Sequence, residues 1–266
     1  MQDISEKNQD LKILIAGPCV AVSYEECLLI ANQVKESADR HGFYPIFKAS
    51  FDKANRTSGD SFRGIGLEET LGIFNKLGNN TGIPIITDVH EVSQLKYIQP
   101  YVRYLQIPAF LCRQTDLIEA CAGTGLPTLI KKGQFLSPEA CLYIEKKYYA
   151  AGGEDLMIAE RGNSFGYNDI IVDATSITRL KNVCTRSKII MDCTHSLQKP
   201  NGVNGKTEGR SDLIEDMVKF ASIMGADGLF VETHPNPSES PSDSENMLML
   251  NKLDSVLEIS RKIYNL

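Results

Sequence analysis

Short apolar runs alternate with amphipathic stretches along almost the whole chain. The runs are Ile13 to Ala16, Pro45 to Phe47, Ile83 to Val89, Tyr104 to Ile107, Pro127 to Ile130, Leu156 to Ala159, Lys188 to Met191 and Gly228 to Val231. Each precedes a stretch of helical periodicity: Tyr24 to Arg40, Leu67 to Leu77, Ser93 to Ile98, Thr115 to Ala122, Pro138 to Ala151, Asp173 to Asn182, Asp212 to Met224 and Asn246 to Ile263. Runs this short and this β-branched suit strands buried on both faces, as in a parallel sheet. Eight strand–helix units in one chain of 266 residues predict a closed (β/α)8 (TIM) barrel, with residues 1–266 forming a single catalytic domain. Ser23 ahead of Tyr24-Glu25-Glu26, and Ser137 ahead of Pro138-Glu139, are suitable helix caps. No linker, low-complexity tract or short-period repeat interrupts the alternation.

Composition narrows the function. Hydrophobic residues make up 42% and charged residues 23%, ordinary for a globular domain. A net charge of −6 and a pI near 5.4 lack the overall basicity of a nucleic-acid binder, so an anion site must be a local cluster of cations. No apolar stretch approaches the roughly 20 residues needed to span a bilayer. The polar start, with Asp3, Glu6 and Asp10, does not read as a signal peptide, so a cytoplasmic protein is expected. Seven cysteines, an odd number with no Cys-x-x-Cys pair, read as reduced small hydrophobes. Cys19 and Cys193 stand apart because they sit in polar-ended strands.

In a (β/α)8 barrel the active site lies at the C-terminal ends of the strands. Here every run ends in polar or ionisable residues, which an inert barrel would not need. One set is cationic: Lys48, Lys53, Arg56, Arg113, Lys131 and Arg161. Six cations exceed the needs of one phosphate and suit two anionic substrates, or one bearing both phosphate and carboxylate. Any one of them alone reads equally well as a solvated loop charge. A second set, Cys19, His90, His195, Glu232, His234 and Asp243, offers thiolate, imidazole and carboxylate, the donors of a borderline divalent metal. These residues come from separate strands, so no short spacing supports them. A lone Cys or His is more often a packing or hydrogen-bonding residue.

Several longer stretches resemble a known family. They are Lys48-Ala-Ser-Phe-Asp-Lys-Ala-Asn-Arg-Thr-Ser58, Gln106-Ile-Pro-Ala-Phe-Leu-Cys-Arg-Gln-Thr-Asp116 and Lys131-Lys-Gly-Gln-Phe135. Glu160-Arg-Gly162 with Phe165-Gly-Tyr-Asn168, Asp192-Cys-Thr-His-Ser196 and Glu232-Thr-His-Pro235 follow in order. Together they resemble the 3-deoxy-D-manno-octulosonate 8-phosphate synthases over nearly the whole chain. That resemblance implies a (β/α)8 barrel, usually a homotetramer. It implies condensation of phosphoenolpyruvate with D-arabinose 5-phosphate and water, releasing phosphate, in lipopolysaccharide biosynthesis.

The chain is similar to the metal-dependent branch, which implies one divalent ion (Zn, Fe(II) or Mn(II)) on Cys19, His195, Glu232 and Asp243; the metal-independent branch has Asn in place of Cys19. By the same resemblance, Lys131 and Arg161, with backbone near Ala109, bind the phosphoenolpyruvate phosphate. Lys48 and Lys53 lie by its carboxylate and reacting carbons, and Gln106 is a further substrate contact. Asn55 and Arg56 hold the aldose phosphate, helped by Thr57 or Ser58. Asp88 faces the sugar hydroxyls, and Arg113 reaches a neighbouring subunit's site.

One departure is Lys206-Thr-Glu-Gly-Arg210, where Glu208 stands in place of a family glycine. Two other functions fit less well. A related synthase using erythrose 4-phosphate typically carries Lys-Pro-Arg-Thr where this chain has Lys48-Ala-Ser-Phe before Asn55-Arg56. A non-catalytic sugar-phosphate-binding barrel has no need of Cys, His, Glu and Asp from separate strands.

Overall fold

The computed structural model describes residues 11–55, 59–200 and 208–265. In chain order its strands and helices are β1 (Lys12–Gly17), α1 (Tyr24–His41), β2 (Phe43–Lys48), α2 (Leu67–Thr81), β3 (Ile85–Asp88), α3 (Leu95–Ile98), β4 (Tyr104–Ile107), α4 (Thr115–Ala122), β5 (Thr128–Lys131), α5 (Cys141–Ala150) and β6 (Leu156–Glu160). A small antiparallel hairpin follows, β7 (Asn163–Phe165) with β8 (Asp169–Ile171), then α6 (Ser176–Val183) and β9 (Lys188–Asp192). A second short ladder pairs β10 (Gln198–Lys199) with β11 (Glu208–Gly209). The chain ends with α7 (Ile214–Ile223), β12 (Gly228–His234), β13 (Leu248–Met249) and α8 (Leu253–Tyr264).

Eight parallel strands, β1 to β6 with β9 and β12, close on themselves. Ile13 pairs with Gly228 across the seam, and Met157 with Lys188 where β6 meets β9. This is the expected (β/α)8 barrel. Side chains alternate along each strand. Ile13, Ile15, Ile46, Ile86, Leu129, Met157, Ala159, Ile190 and Phe230 fill the interior. Their neighbours, such as Leu14, Phe47, Ile130, Ile158 and Ile189, pack outward under the helices.

Ser23 caps α1 by accepting from the Glu26 amide, and Gly42 ends it in the left-handed conformation that glycine adopts without penalty. Ser137 also caps, accepting from the Ala140 amide, but its first turn is a 3-10 turn. Two expectations differ from what is seen. The hairpin β7–β8 occupies a stretch read as a plain connection. Residues 246–252 do not form α-helix: Leu248–Met249 adds a short parallel strand beside the end of β12, 3-10 turns at Ser244–Asn246 and Leu250–Lys252 flank it, and α8 starts only at Leu253. Leu248 and Leu250 are buried there, so tertiary packing overrides the helical spacing.

All seven cysteines are free and buried. Among the described residues, no helix is long and apolar enough to cross a membrane.

One charged pair lies on the outward side of the strands. Lys132 and Glu160 are both fully buried, 3.3 Å apart. The Lys132 ammonium also donates to Asn163 Oδ1 (2.9 Å) and to the carbonyls of Leu136 and Gly162. Glu160 accepts from the Gly162 amide at 2.6 Å. The pair thus ties the β5 and β6 loops together just behind Lys131 and Arg161. Gly162 turns there at φ 84°, where a side chain would run into Ile170. Lys132→Ala is expected to lower the unfolding free energy by about 3–5 kcal/mol, because it leaves a carboxylate buried without its partner. Urea denaturation against the exposed control Lys146→Ala measures this; a loss under about 1 kcal/mol, near the range of surface changes, would show that the pair is dispensable.

Candidate active site

The inward alternation of the strands does not stop with the apolar layer. Two residues beyond Ile46 comes Lys48; beyond Ile86, Asp88; beyond Leu129, Lys131; beyond Ala159, Arg161; beyond Ile190, Asp192; beyond Phe230, Glu232. The same parity that fills the barrel with isoleucine therefore caps it with charge. These six are all buried, and four of them, Lys48, Asp88, Lys131 and Arg161, line a cleft of about 600 Å³ at the C-terminal rim. Lys53, Asn55, Gln106, Ala109, His195 and Asp243 also line it.

At the base, the Lys48 ammonium lies 3.0 Å from Glu232 Oε1 and donates to the Cys19 carbonyl at 3.1 Å. Burial works against its charge, but Glu232 and Asp88 outweigh that and raise its pKa. Burial likewise opposes the Glu232 carboxylate, yet neighbouring positive groups, Lys48 among them, hold it below the usual range.

On the next strands Lys131 lies 2.6 Å from Asp192 and 3.4 Å from the centroid of the Phe230 ring. Asp192 is held far below the ordinary carboxylate range: burial opposes its charge, but His195, Lys131 and Arg161 more than compensate. Burial lowers the pKa of Lys131, with Asp192 working the other way. Burial also lowers that of Arg161, whose Nη1 is buried without a hydrogen-bond partner. Two desolvated cations side by side, one with an unsatisfied donor, form a site for an anion that brings its own charge. Asp88 accepts from Ser50 and Gln106, and Lys53 donates to Ser50 at 2.9 Å. Burial opposes the Asp88 charge, but Lys48 and Lys53 keep its pKa low.

The donor atoms of Cys19, Glu232 and Asp243 lie within 4.8 Å of one another. The Cys19 thiol is 3.0 Å from both Ser242 Oγ and Asp243 Oδ2. Burial, then Glu232, pushes this thiol up; a cation among these groups would reverse that. Glu232 Oε2 is buried without a hydrogen-bond partner. His195 Nε2 stands 3.4 Å from that oxygen, while its Nδ1 faces Asp192 at 2.9 Å. A thiol, two carboxylates and an imidazole oriented by a carboxylate on its far nitrogen suit a divalent metal of the zinc type. Asp243 is the one non-glycine residue among those described with positive φ, at 51°.

The other expected residues are distributed as follows. His234 is not in the cluster: it pairs with Glu26 at 3.1 Å and meets the Asn236 carbonyl at 2.7 Å, joining α1 to the β12 loop. His90 lines the cleft edge-on to Phe51 and is not among the three converging donors. Cys193 packs in the core behind β9. Arg113 is exposed and does not line the cleft of its own chain. Arg56, Thr57 and Ser58 lie outside the described residues, as do Lys206 and Thr207. The sequence alone assigns no role to Asp192, Gln198 or Ser242. Asp192 was legible from its parity with Ile190, whereas Gln198 and Ser242 lie on loops that carry no periodic signal.

Comparison with known proteins agrees with this architecture. The model of the DAHP synthetase I family matches residues 2–265. A 2-dehydro-3-deoxyphosphooctonate aldolase of Fusobacterium nucleatum is 45% identical over 251 residues, covering 94% of this chain and 90% of its own. Proteins of the same name from Acidithiobacillus ferrooxidans and Methylobacillus flagellatus are 42% and 43% identical, covering 94% and 92% of this chain and 88% of theirs. A barrel with paired buried cations beside a thiol–carboxylate cluster, matched end to end by these relatives, belongs to the DAHP synthetase I family and, within it, to the 2-dehydro-3-deoxyphosphooctonate aldolases.

Proposed function

We propose that this enzyme condenses phosphoenolpyruvate with D-arabinose 5-phosphate and water, giving 3-deoxy-D-manno-octulosonate 8-phosphate and phosphate, for lipopolysaccharide biosynthesis. The observation that carries the reading is the cleft's two-part floor. The buried cations Lys48, Lys131 and Arg161 line the cleft, and Cys19, Glu232 and Asp243 converge beside them, with Glu232 paired to Lys48.

On this reading Lys131 and Arg161 take the phosphate of phosphoenolpyruvate, with backbone near Ala109. Lys48 and Lys53 stand by its carboxylate and reacting carbons. Asp88, held ionised, accepts from the sugar hydroxyls, and Gln106 orients Asp88. Asn55 and Arg56, with Thr57 or Ser58, hold the aldose phosphate. The cations offset the repulsion between two anionic reactants, and holding both in contact supplies much of the rate. The enol carbon attacks the aldehyde, water adds at the phosphate-bearing carbon, and the C–O bond breaks. Cys19, His195, Glu232 and Asp243 would hold one divalent ion (Zn, Fe(II) or Mn(II)), which when bound polarises the aldehyde or positions the water. The same reading makes the protein a cytoplasmic homotetramer, with Arg113 serving a neighbour's site.

The test is phosphate release from phosphoenolpyruvate with arabinose 5-phosphate, erythrose 4-phosphate or ribose 5-phosphate, with and without chelator. Release with arabinose 5-phosphate, stopped by chelator and restored by metal, is expected. Equal release with erythrose 4-phosphate would overturn the substrate assignment.

Cys19→Asn tests the metal. Asn is a poor ligand beside a thiolate, so metal content by elemental analysis should fall to a small fraction of wild type. Some turnover in chelator should survive if the ion's task is orientation. Wild-type occupancy in the variant would show that Cys19 is not a ligand.

A further inference from the structure

The anion end of the cleft and the thiol–carboxylate end are joined by two bridging side chains. Asp192 stands between Lys131 and His195, at 2.6 and 2.9 Å. Gln198 stands between Arg161 and Asp243. Arg161 Nη2 donates to Gln198 Oε1 at 2.7 Å, and Gln198 Nε2 donates to Asp243 Oδ1 at 3.2 Å.

We propose that Gln198 is a positioning residue that couples the anion site at Arg161 to the metal site at Asp243, so that occupancy of either tightens the other. The proposal rests on the reading of Cys19, Glu232 and Asp243 as a metal site.

Three observations carry it. First, the amide orientation is dictated by its partners. A guanidinium only donates and a carboxylate only accepts, so Oε1 must face Arg161 and Nε2 must face Asp243. The bridge cannot flip without losing both bonds. Second, the backbone beneath it is fixed. Gln198 pairs with Gly209 in the β10–β11 ladder, and the same ladder is tied to the Asp243 segment by Asn246, whose amide donates to the Glu208 carbonyl at 3.3 Å. Gly209 has no room for a side chain against Asn246, so the two segments touch closely. Third, each end of the bridge also faces one of the two sites. Arg161 Nη1 is buried without a partner, while Asp243 Oδ2, the oxygen not used by Gln198, faces the Cys19 thiol at 3.0 Å.

An Asp243 held by a metal ion presents a fixed Oδ1 to Gln198, which in turn holds the Arg161 fork in place. The ordering cost of Arg161 is then met before the anion arrives. By linkage, an anion that orders Arg161 raises metal affinity by the same factor. Simple attraction between a cation and a phosphate acts in the same direction, but it passes through space and does not need the amide.

The experiment uses the full chain, stripped of metal, titrated with Co(II) in competition with a chelator. Thiolate-to-cobalt absorbance is the readout, with and without saturating phosphoenolpyruvate. In the wild type, Co(II) affinity should rise about fivefold or more with phosphoenolpyruvate, the lower end of ordinary coupling between sites. In Gln198→Met, similar in length but unable to bridge, Co(II) should still bind with thiolate absorbance, which reports an intact fold, and the rise should shrink below about twofold. In Gln198→Glu, which still accepts from Arg161 but cannot donate to Asp243, the rise should shrink likewise. An undiminished rise in both variants would overturn the proposal in favour of through-space attraction. An affinity unchanged by phosphoenolpyruvate in the wild type would overturn it while leaving the metal site standing. Absence of thiolate-bound Co(II) in the wild type would remove the metal reading and the coupling together.

Discussion

Glu232→Gln is expected to strip the protein of the divalent ion proposed for its site and to lower turnover by about 10³-fold, equivalent to about 4 kcal/mol of barrier. The size follows from Glu232 serving two sides at once. Oε1 faces Lys48 at 3.0 Å, and Oε2 is buried without a hydrogen-bond partner beside the Cys19 and Asp243 donors. The amide keeps the shape but removes the charge on both sides. Loss of outer ligands alone costs about 10–100-fold in metal affinity, so loss of an inner one should exceed that. Lys48 meanwhile keeps a full charge in a buried place with its main partner gone, which destabilises by about 3–5 kcal/mol when a pair is broken outright. Adding Lys48→Met should restore much of that stability and none of the turnover. The measurements are metal content, thermal unfolding and phosphate release on the same preparations. Wild-type metal content in Glu232→Gln would remove Glu232 from the ligand set.

Arg161→Ala should raise the KM for phosphoenolpyruvate by about 10–150-fold, the range set by about 1.5–3 kcal/mol for hydrogen bonds to charged groups. The KM for arabinose 5-phosphate should stay within about twofold. The argument is spatial: Arg161 lies with Lys131 and Asp192, whereas Asp88, Ser50 and Lys53 form a separate group. Arg161→Lys should not restore the wild-type value, because a lysine cannot both donate to Gln198 and present a second planar donor to phosphate. Steady-state kinetics with each substrate varied in turn decides this. Equal rises in both constants would mean that the two anions do not occupy separate sites.

The barrel was legible because its strands are short, apolar and followed by amphipathic helices of regular length. Seven of the eight expected helices lie within a few residues of their predicted bounds. The eighth start, at Asn246, was misplaced because Leu248 and Leu250 are buried by contact with the end of β12, which no local period reports. The hairpin Asn163–Ile171 was missed because three-residue strands are too short for alternation to register.

In the site, parity along the strands would have sorted inward Lys131 and Arg161 from outward Lys132 and Glu160. It is a stronger guide than listing whatever charged residues follow a strand. The cluster of Cys19, Glu232 and Asp243 could not be assembled from spacing, since its members are brought together only by closure of the barrel between β1 and β12. Chemistry alone put His234 with them, and a carboxylate on α1 draws it elsewhere.

Asp243 holds φ 51° and ψ 29°, a conformation open to glycine at no cost and to aspartate at a modest one. Glycine would adopt these angles without the steric cost that a side chain meets there. On the metal reading proposed above, folding and task make opposing demands at this residue. The last segment before α8 is thus a compromise between durability and use. Stabilising this enzyme by consensus or by computation would meet its sharpest conflict at this residue, not in the packed barrel interior, where the two demands coincide.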